Sequence, residues 1–311
     1  MEKKDSVIIA IDHGYGYTKT VNEAFPSGVS EFKYEAPVST QVLKWNDTYY
    51  TVGCQLDYIT DNKFGDDDFF VLTLAAIAME LRRKGMNQAK VKLAVGLPLM
   101  FYGKDRKKLE EYLSRGNVSF TYEAIDYEIS IDPDVLVFPQ GCSGVLPHLK
   151  DIQGPCYVVD IGTGTTDIIA VKSDKSFDAS DATSLKIGVS DAINAVNRRL
   201  MIEHGTKART DEIIDIIIQK PVIKPRRIMD TIDAALKEFA KDFLKNLKSQ
   251  GIDYDTTQTF FMGGGSVLIT RYGDLNLDVE DDEPQMIFPI TDIHANAKGY
   301  DYLAKQMNSL R

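Results

Sequence analysis

A short pattern, an aspartate followed by two spaced glycines, occurs twice in this chain, each time directly after a run of β-forming residues. Residues 7–11 precede Asp12 in the first copy, and residues 156–159 precede Asp160 in the second. When the two aspartates are aligned, the residues that fall into register are Gly14 with Gly162, Gly16 with Gly164, and Thr18 with Thr166. Apolar or β-branched residues return after both copies. The pattern therefore predicts two related β-hairpins, each with a tight glycine turn.

A hairpin of this kind is suited to binding phosphate. Glycine lets a turn adopt positive φ and brings backbone N–H groups close to an anion. The aspartate at the strand end can hold Mg²⁺ directly or through water, and Lys19 adds a positive charge in the first copy. Thr163, Thr165 and Thr166 add hydroxyl donors in the second copy. Two ordinary glycine turns are the simpler alternative, but the shared register favours a pair of phosphate-binding hairpins.

A third glycine-rich segment lies further along the chain. Residues 259–262 are typical of a strand, Gly263, Gly264 and Gly265 follow, and a helix can begin at Ser266. A strand, a glycine loop and a helix N-terminus together form an approach site for a nucleotide. A triple glycine alone could be a flexible turn, so this signal depends on the two hairpins that precede it.

The composition of the chain and the motifs it lacks exclude several classes of function. The 311 residues suggest two domains, and the net charge of −10 disfavours sequence-independent binding of the bare protein to DNA or RNA. No Walker A, GxGxxG or GxSxG pattern occurs, which excludes P-loop NTPases, the usual dinucleotide enzymes and serine hydrolases. The three cysteines and four histidines are too scattered for a disulfide framework or a zinc site. No apolar run reaches the length of a membrane span and residues 1–6 lead straight into a strand, so we expect a soluble, cytoplasmic protein without a membrane partner.

Local patterns predict several further elements. A hairpin is expected at 42–52 because an Asn-Asp turn lies between β-forming residues. Periodicity and capping signals predict helices at 68–84, 104–115, 226–250 and 297–309, and a short helix that begins at Thr210. A further helix is expected to be capped by Ser190, to include Met201 in its apolar face, and to end near Gly205.

At the glycine motifs the chain resembles the actin-like ATPases. Within the superfamily of actins, heat-shock chaperones and sugar kinases, it is most similar to plasmid-segregation actins of the ParM/StbA type. Asp12, Gly14 and Lys19 match the family's first hairpin, Asp-x-Gly-x-x-x-x-Lys. The residues that match the second hairpin, Asp-x-Gly-[Gly/Thr]-[Gly/Thr]-Thr-x-Asp, are Asp160, Gly162, Thr163, Gly164, Thr165 and Asp167. The triple glycine matches the family's adenosine loop, and the resemblance runs in order along the whole chain.

The resemblance implies an α/β, actin-like fold in which two related α/β domains flank a nucleotide cleft. Domain I would comprise residues 1–153 plus 292–311, with a small subdomain at about 22–67. Domain II would comprise residues 154–291, with a helical subdomain at about 186–255.

The same resemblance implies that ATP or GTP binds with Mg²⁺ and is hydrolysed. The residues it implies for nucleotide binding are Gly14, Tyr15, Gly16, Tyr17, Lys19, Gly162, Thr163, Gly164, Thr165, Asp167, Gly188, Gly263, Gly264 and Gly265. Asp12 and Asp160 would hold Mg²⁺ and, with Gln140, form the catalytic set. At the position of Gln140, ParM proteins commonly carry glutamate, whereas actin itself carries glutamine, as this chain does. Glutamine cannot act as a base at neutral pH, but it can orient a water molecule by hydrogen bonding. The alternative is that Gln140 has no catalytic role and only starts a helix.

The family role implied is a nucleotide-dependent filament. Subunits would assemble head to tail, and the filament would move plasmids or other DNA elements. DNA would be engaged only indirectly, through a basic DNA-binding adaptor, which agrees with the acidic composition. Two alternatives stay open: a small-molecule kinase of the same superfamily, and a chaperone-like nucleotide switch that forms no filament.

Overall fold

The computed structural model describes residues 6–34, 41–54, 67–277 and 284–309. The chain divides into two compact units: unit 1 comprises Met1–Pro147 and His294–Arg311, and unit 2 comprises His148–Ile293. Each unit has its own sheet and its own hydrophobic core, so the predicted α/β class is confirmed. Residues 35–40 and 55–66, which belong to the predicted small subdomain, lie outside the described residues.

The elements of the described chain are numbered in chain order. The strands are β1 (Val7–His13), β2 (Tyr17–Thr20), β3 (Ala24–Pro26), β4 (Gly28–Phe32), β5 (Val42–Trp45), β6 (Thr48–Cys54), β7 (Gln88–Pro98), β8 (Asn117–Tyr122), β9 (Ile125–Ile131), β10 (Leu136–Gln140), β11 (Cys156–Ile161), β12 (Thr166–Val171), β13 (Phe177–Leu185), β14 (Thr259–Met262) and β15 (Ile287–Pro289). The helices are α1 (Asp68–Arg83), α2 (Leu99–Leu113), α3 (Cys142–Val145), α4 (Val189–His204), α5 (Thr210–Ile217), α6 (Arg226–Ser249), α7 (Ser266–Tyr272) and α8 (Ala295–Ser309).

The described residues of unit 1 form a ten-stranded sheet in the order β3-β2-β1-β7-β9-β8-β5-β6-β4, with β10 also paired to β7. Strands β1 and β10 run parallel to β7 and lie on opposite sides of it. The carboxyl ends of these three strands therefore meet at one edge of the sheet. In parallel α/β sheets this edge is where ligands bind.

Helices cover both faces of the central strands of unit 1. Along β1, Ile9 and Ile11 pack into the core that contains α1, whereas Ala10 packs on the other face beneath α8. This alternation is the two-residue period of a strand whose two faces are both buried. Helix α1 is buried along most of its length, from Phe69 to Leu81, which agrees with its nearly continuous apolar sequence.

The predicted hairpin at 42–52 is present as β5 and β6. Asn46 and Asp47 form its turn with φ of 49° and 59°, the positive values that a two-residue type I′ turn requires. Asparagine and aspartate tolerate this region better than other residues with a Cβ, which is why the local sequence was informative.

Unit 2, over its described residues, has a five-stranded sheet in the order β13-β12-β11-β14-β15. Its core combines apolar residues of β11, β12 and β14 with those of helices α4 to α7. Helix α6 is the longest, and its buried residues Ile228, Ile232 and Leu236 recur every fourth position. This spacing gives one apolar stripe that packs chiefly against α4 and α7.

The structure corrects several helix expectations. The cap of α4 is Gly188, because the Ser190 amide already belongs to the first helical turn, and Met201 is 45% exposed rather than part of the buried face. Helix α2 begins at Leu99, directly after Pro98, instead of at residue 104, and α8 begins at Ala295 instead of residue 297. Helix α1 begins at Asp68 and ends at Arg83, one residue before the predicted end, and α6 ends at Ser249. Among the described helices, none combines the length and the apolar character needed to cross a membrane.

Candidate functional site

The first glycine motif forms the hairpin β1–β2 of unit 1. Asp12 pairs with Lys19 and His13 with Thr18 across the two antiparallel strands. The Gly14 N–H donates to the Tyr17 carbonyl at 3.1 Å and closes the turn. A Cβ on Gly14 would lie 2.7 Å from that carbonyl oxygen, so the tight turn requires glycine at this position.

Asp12 and Lys19 form a largely buried ion pair. Lys19 Nζ lies 3.1 Å from Asp12 Oδ2, and the side chains are 15% and 3% exposed. The neighbouring His13 points the other way, toward α1, where Nε2 lies 2.9 Å from Thr73 Oγ1 and the ring stacks on Phe69. The side of the hairpin that carries Asp12 and Lys19 is therefore the side with the predicted phosphate chemistry, and His13 is a packing residue.

Ser27 holds the first turn from behind. Its hydroxyl donates to the Gly14 carbonyl at 2.8 Å, and its N–H donates to the Gly16 carbonyl at 2.9 Å. Thr18 Oγ1 lies 2.9 Å from the Ser27 hydroxyl oxygen. Sequence reasoning missed Ser27, which lies eight residues beyond Lys19 in an unremarkable segment. The carbonyls of Gly14, Gly16 and Tyr17 are thus all engaged, so hydrogen bonds fix the path of the first turn.

The second glycine motif forms the hairpin β11–β12 of unit 2 with the same register. Asp160 pairs with Asp167 and Ile161 with Thr166. The Gly162 N–H donates to the Thr165 carbonyl at 2.8 Å, which reproduces the Gly14–Tyr17 bond of the first hairpin. The burial profiles also agree: Asp12 and Asp160 are buried, the four turn residues are half-buried, and the following threonine is buried again. The two hairpins are therefore equivalent in backbone and in burial.

The N-terminal end of α4 holds the second turn in the place that Ser27 takes in unit 1. The Val189 and Ser190 N–H groups donate to the Gly162 and Thr163 carbonyls at 3.1 and 2.8 Å. A Cβ on Gly188 would lie 2.5 Å from the Thr163 carbonyl oxygen, so only glycine allows the helix to approach this closely. The helix start is thereby fixed against the turn that carries Thr163, Gly164 and Thr165.

The triple glycine packs directly on the second hairpin. The Gly265 N–H donates to the Ile161 carbonyl at 2.9 Å. A Cβ on Gly263 would lie 2.4 Å from Asp160 Oδ1, and one on Gly265 would lie 2.2 Å from Ile161 Cγ2. Within the part of the chain that the structure describes, no atom lies within 4 Å of a Cβ built on Gly264. Two of the three glycines are thus required by packing, and Gly264 faces open space.

Gln140 is the last residue of β10 and pairs with Pro98 of β7. Asp12 lies on the other side of β7, one residue beyond the pair Ile11–Val95. Both residues therefore belong to the edge formed by the carboxyl ends of the parallel strands. Their strands are about two spacings of ~4.8 Å apart, and Gln140 lies two residues further along β7 than Asp12. Among the described residues, the Gln140 side chain has no hydrogen-bond partner, so its amide remains able to bind water.

The predicted site residues fall into two groups, one in each unit. Unit 1 brings together Asp12, Lys19 and the turn of the first hairpin, with Gln140 at the same edge. Unit 2 brings together the second hairpin, Gly188 and the triple glycine. Asp167 lies on β12 opposite Asp160 and is half-buried.

Neither group contains a ready-made metal cage. No cluster of three or more histidine, cysteine, aspartate or glutamate side chains that could hold a metal ion occurs within the described ranges. Cys156, at the start of β11, is buried, and burial raises the pKa of its thiol to about 11. A thiol of this kind stays protonated at neutral pH and is a packing residue, not a nucleophile.

Comparison with known proteins matches both halves of the chain to actin relatives. Residues 10–142 match the family described as actin like proteins, N-terminal domain. Residues 158–272 match the family described as archaeal actin homologue MreB-like, C-terminal. An archaeal actin homologue of Thermoplasma acidophilum is 24% identical over 320 aligned positions, which cover 94% of this chain and 97% of the relative.

Solved structures show the same likeness. The crystal structure of an archaeal actin homologue in complex with ADP is similar with a TM-score of 0.69 and 23% identity, over 96% of this chain and 99% of that chain. A ParM from a 15-stranded filament of Clostridium botulinum is similar with a TM-score of 0.73 and 21% identity, over 97% and 99% of the two chains. At these identities the likeness establishes the fold.

Proposed function

Because this chain is an actin-like protein, with the N-terminal and C-terminal domains of that fold, we propose that it binds and hydrolyses ATP or GTP together with Mg²⁺. We further propose that it assembles head to tail into filaments that segregate plasmids or other DNA elements. The filament partner is a second copy of the chain, and DNA is reached through a basic DNA-binding adaptor. On this proposal the protein acts in the cytoplasm.

One observation supports the nucleotide proposal above all others, namely the duplicated hairpin. The bond from Gly14 to Tyr17 recurs from Gly162 to Thr165, and a buried aspartate stands at the same position of each hairpin. A fold alone does not require this, because ordinary hairpins vary in turn type and length. Two copies with one geometry and one burial profile indicate that both turns serve the same kind of ligand.

The turns supply the groups that a polyphosphate needs. Backbone N–H groups of Tyr15 and Gly16 in the first turn, and of Thr163 and Gly164 in the second, donate to phosphate oxygens. The Thr163 and Thr165 hydroxyl groups add donors. Lys19 turns from Asp12 toward a terminal phosphate. Because the phosphate is also an anion, the charge of the Lys19 ammonium group stays paired.

The aspartates fit a magnesium ion that is held mostly by water and phosphate. Mg²⁺ in nucleotide sites usually takes one or two carboxylates, so the lack of a larger acidic cluster among the described residues is compatible with it. Asp12 and Asp160 are each buried at a strand end beside a turn, where a carboxylate can accept hydrogen bonds from the water shell of the ion. When bound, Mg²⁺ would neutralise charge that develops on the phosphates.

Hydrolysis then requires an oriented water molecule. Its oxygen attacks the γ-phosphorus, and the bond from that phosphorus to the β–γ bridging oxygen breaks. The products are nucleoside diphosphate and inorganic phosphate, and one proton is released to solvent. Gln140 accepts a hydrogen bond from the water through its amide oxygen and fixes the direction of attack without taking the proton.

Light scattering of the purified protein tests the proposal. We expect scattering to rise above a critical protein concentration when Mg-ATP or Mg-GTP is added, and to fall as phosphate is released. EDTA should prevent both signals. Phosphate transfer to an added small-molecule acceptor, without any rise in scattering, would contradict the filament and support the kinase alternative.

A glutamine variant separates hydrolysis from assembly. Gln140→Ala should still assemble, but phosphate release should fall by about tenfold or more, because the water is no longer oriented. Gln306→Ala, at an exposed position on α8, serves as the matched control and should hydrolyse nucleotide at the unmodified rate. Unchanged phosphate release by Gln140→Ala would remove Gln140 from the catalytic set.

A further inference from the structure

A buried hydrogen bond joins the start of α8 to the residue that follows Gln140. The Gly141 N–H donates to Asn296 Oδ1 at 2.9 Å. Asn296 is 4% exposed and lies in the first turn of α8, 155 residues further along the chain. The peptide that donates this hydrogen bond is the one that links Gln140 to Gly141, so the contact lies directly at the end of β10.

The backbone turns sharply at this point. Gly141 has φ of 76° and ψ of −57°, values typical of the central residue of a γ-turn and accessible chiefly to glycine. The strand that fixes Gln140 ends here, and α3 begins at Cys142. The direction of the Gln140 side chain therefore depends on how the following peptide is held, and the Asn296 amide oxygen holds it.

The helix that carries Asn296 is itself firmly placed in unit 1. A Cβ on Gly299 would lie 2.1 Å from the Ser143 carbonyl oxygen, so α8 and α3 are in backbone contact. His294, just before α8, has Nδ1 2.8 Å from the carbonyl oxygen of Thr20, the residue after Lys19. The start of α8 thus contacts the backbone next to Lys19 and the backbone next to Gln140.

We propose that Asn296 is a positioning residue for nucleotide hydrolysis, acting through the Gly141 amide to set the direction of Gln140. The inference rests on the proposed hydrolysis and adds to it a residue that does not touch the nucleotide. Asparagine and aspartate both present an oxygen to the Gly141 N–H, whereas alanine presents none.

The test is a double-mutant cycle on phosphate release at saturating Mg-nucleotide. Asn296→Ala should lower kcat by about tenfold, with KM within about twofold, since positioning acts on the reacting water and not on binding. In a Gln140→Ala background the same change should have no further effect on kcat, because the residue it positions is absent. Asn296→Asp should recover most of the rate.

Two further measurements separate positioning from loss of stability. Ala304→Gly, at a buried position about two turns after Asn296 on the same helix, lowers helix stability and should keep the unmodified kcat. Amide hydrogen exchange at Gly141 should be slow in the unmodified protein and in Asn296→Asp, and fast in Asn296→Ala. An equal loss of kcat in both Gln140 backgrounds, or slow exchange at Gly141 in Asn296→Ala, would overturn the inference. If the unmodified protein fails to hydrolyse nucleotide at all, the proposed function falls as well.

Discussion

At the scale of single residues, the Asp12–Lys19 ion pair has a structural role, and our proposal gives Lys19 a ligand-binding role as well. Lys19 is the charged partner of a carboxylate that is only 3% exposed. Lys19→Met leaves that charge buried without its cation, and we expect the free energy of unfolding to fall by about 3 kcal/mol. Asp12→Asn combined with Lys19→Met should recover most of the loss, as measured by urea denaturation.

Nucleotide binding distinguishes the two roles of the pair. Affinity for Mg-nucleotide should fall in Lys19→Met and remain low in the double variant, because neither protein supplies a positive charge for the terminal phosphate. Recovery of affinity together with stability would mean that Lys19 only neutralises Asp12.

The glycine loop provides a second residue-scale prediction with a built-in control. A Cβ at residue 265 would overlap the Ile161 side chain, whereas one at residue 264 meets no described atom within 4 Å. Gly265→Ala should therefore destabilise unit 2 by about 1–3 kcal/mol, and Gly264→Ala should change stability by less than about 0.5 kcal/mol. Thermal unfolding followed by circular dichroism measures both. Equal effects of the two substitutions would contradict the packing that the structure shows.

The same residues show what sequence can and cannot predict. The aspartates and glycines of the two hairpins were predictable because their signal is local, with turn and strand adjacent in the chain. Ser27 and Asn296 were not, since each acts through a contact that exists only after folding and belongs to no motif. Gly188 was predicted by resemblance, but the reason for glycine there, the contact of α4 with the hairpin turn, came from the structure.

At the scale of elements, α1 contributes a buried carboxylate that fixes the end of β2. Glu80 is 6% exposed and accepts hydrogen bonds from the Thr20 hydroxyl and from the Asn22 backbone and side-chain amides. Glu80→Gln replaces one acceptor oxygen by a donor that faces other donors. The free energy of unfolding should therefore fall by about 2 kcal/mol, measured by urea denaturation.

A neighbouring residue of α1 gives the control for this prediction. Arg83 forms an ion pair with Glu23, but both side chains are substantially exposed, at 52% and 34%. Arg83→Gln should change stability by less than about 0.5 kcal/mol. If Glu80→Gln proves equally mild, the turn after β2 is held by its own backbone bonds and not by α1.

Element boundaries mark the limit of local sequence signals. Ser190 predicted a cap, but the backbone of α4 starts earlier because Val189 and Ser190 donate to the turn of the second hairpin. When backbone N–H groups bind another element in this way, that contact sets where the helix begins, and the capping preference of the side chain does not. Similarly, α2 begins directly after the long strand β7, at Leu99, with Pro98 at the cap position and no side-chain cap.

At the scale of the whole molecule, the two units differ in how the chain builds them. Unit 2 is one continuous segment, His148–Ile293, with a core of its own. Unit 1 is discontinuous: α8 returns after unit 2 and covers the face of the sheet that contains Ala10, Ala94 and Phe138. Small residues on that face let the helix approach closely, and Tyr300 of α8 fills the space above Gly96.

Because unit 1 is discontinuous and unit 2 is continuous, we expect the two units to differ in whether a single chain segment of each folds alone. A fragment of residues 148–293 should fold alone and unfold in one cooperative thermal transition, because every strand and helix of its core lies within it. A fragment of residues 1–147 should bind a hydrophobic dye and aggregate, because the apolar face under α8 is exposed to water.

Adding a peptide of residues 292–311 should suppress dye binding by this fragment. The same peptide with Tyr300 and Ala304 both changed to Asp should not suppress it, since both side chains are fully buried in α8. If fragment 1–147 proves soluble and cooperative by itself, α8 is not needed to complete the core of unit 1.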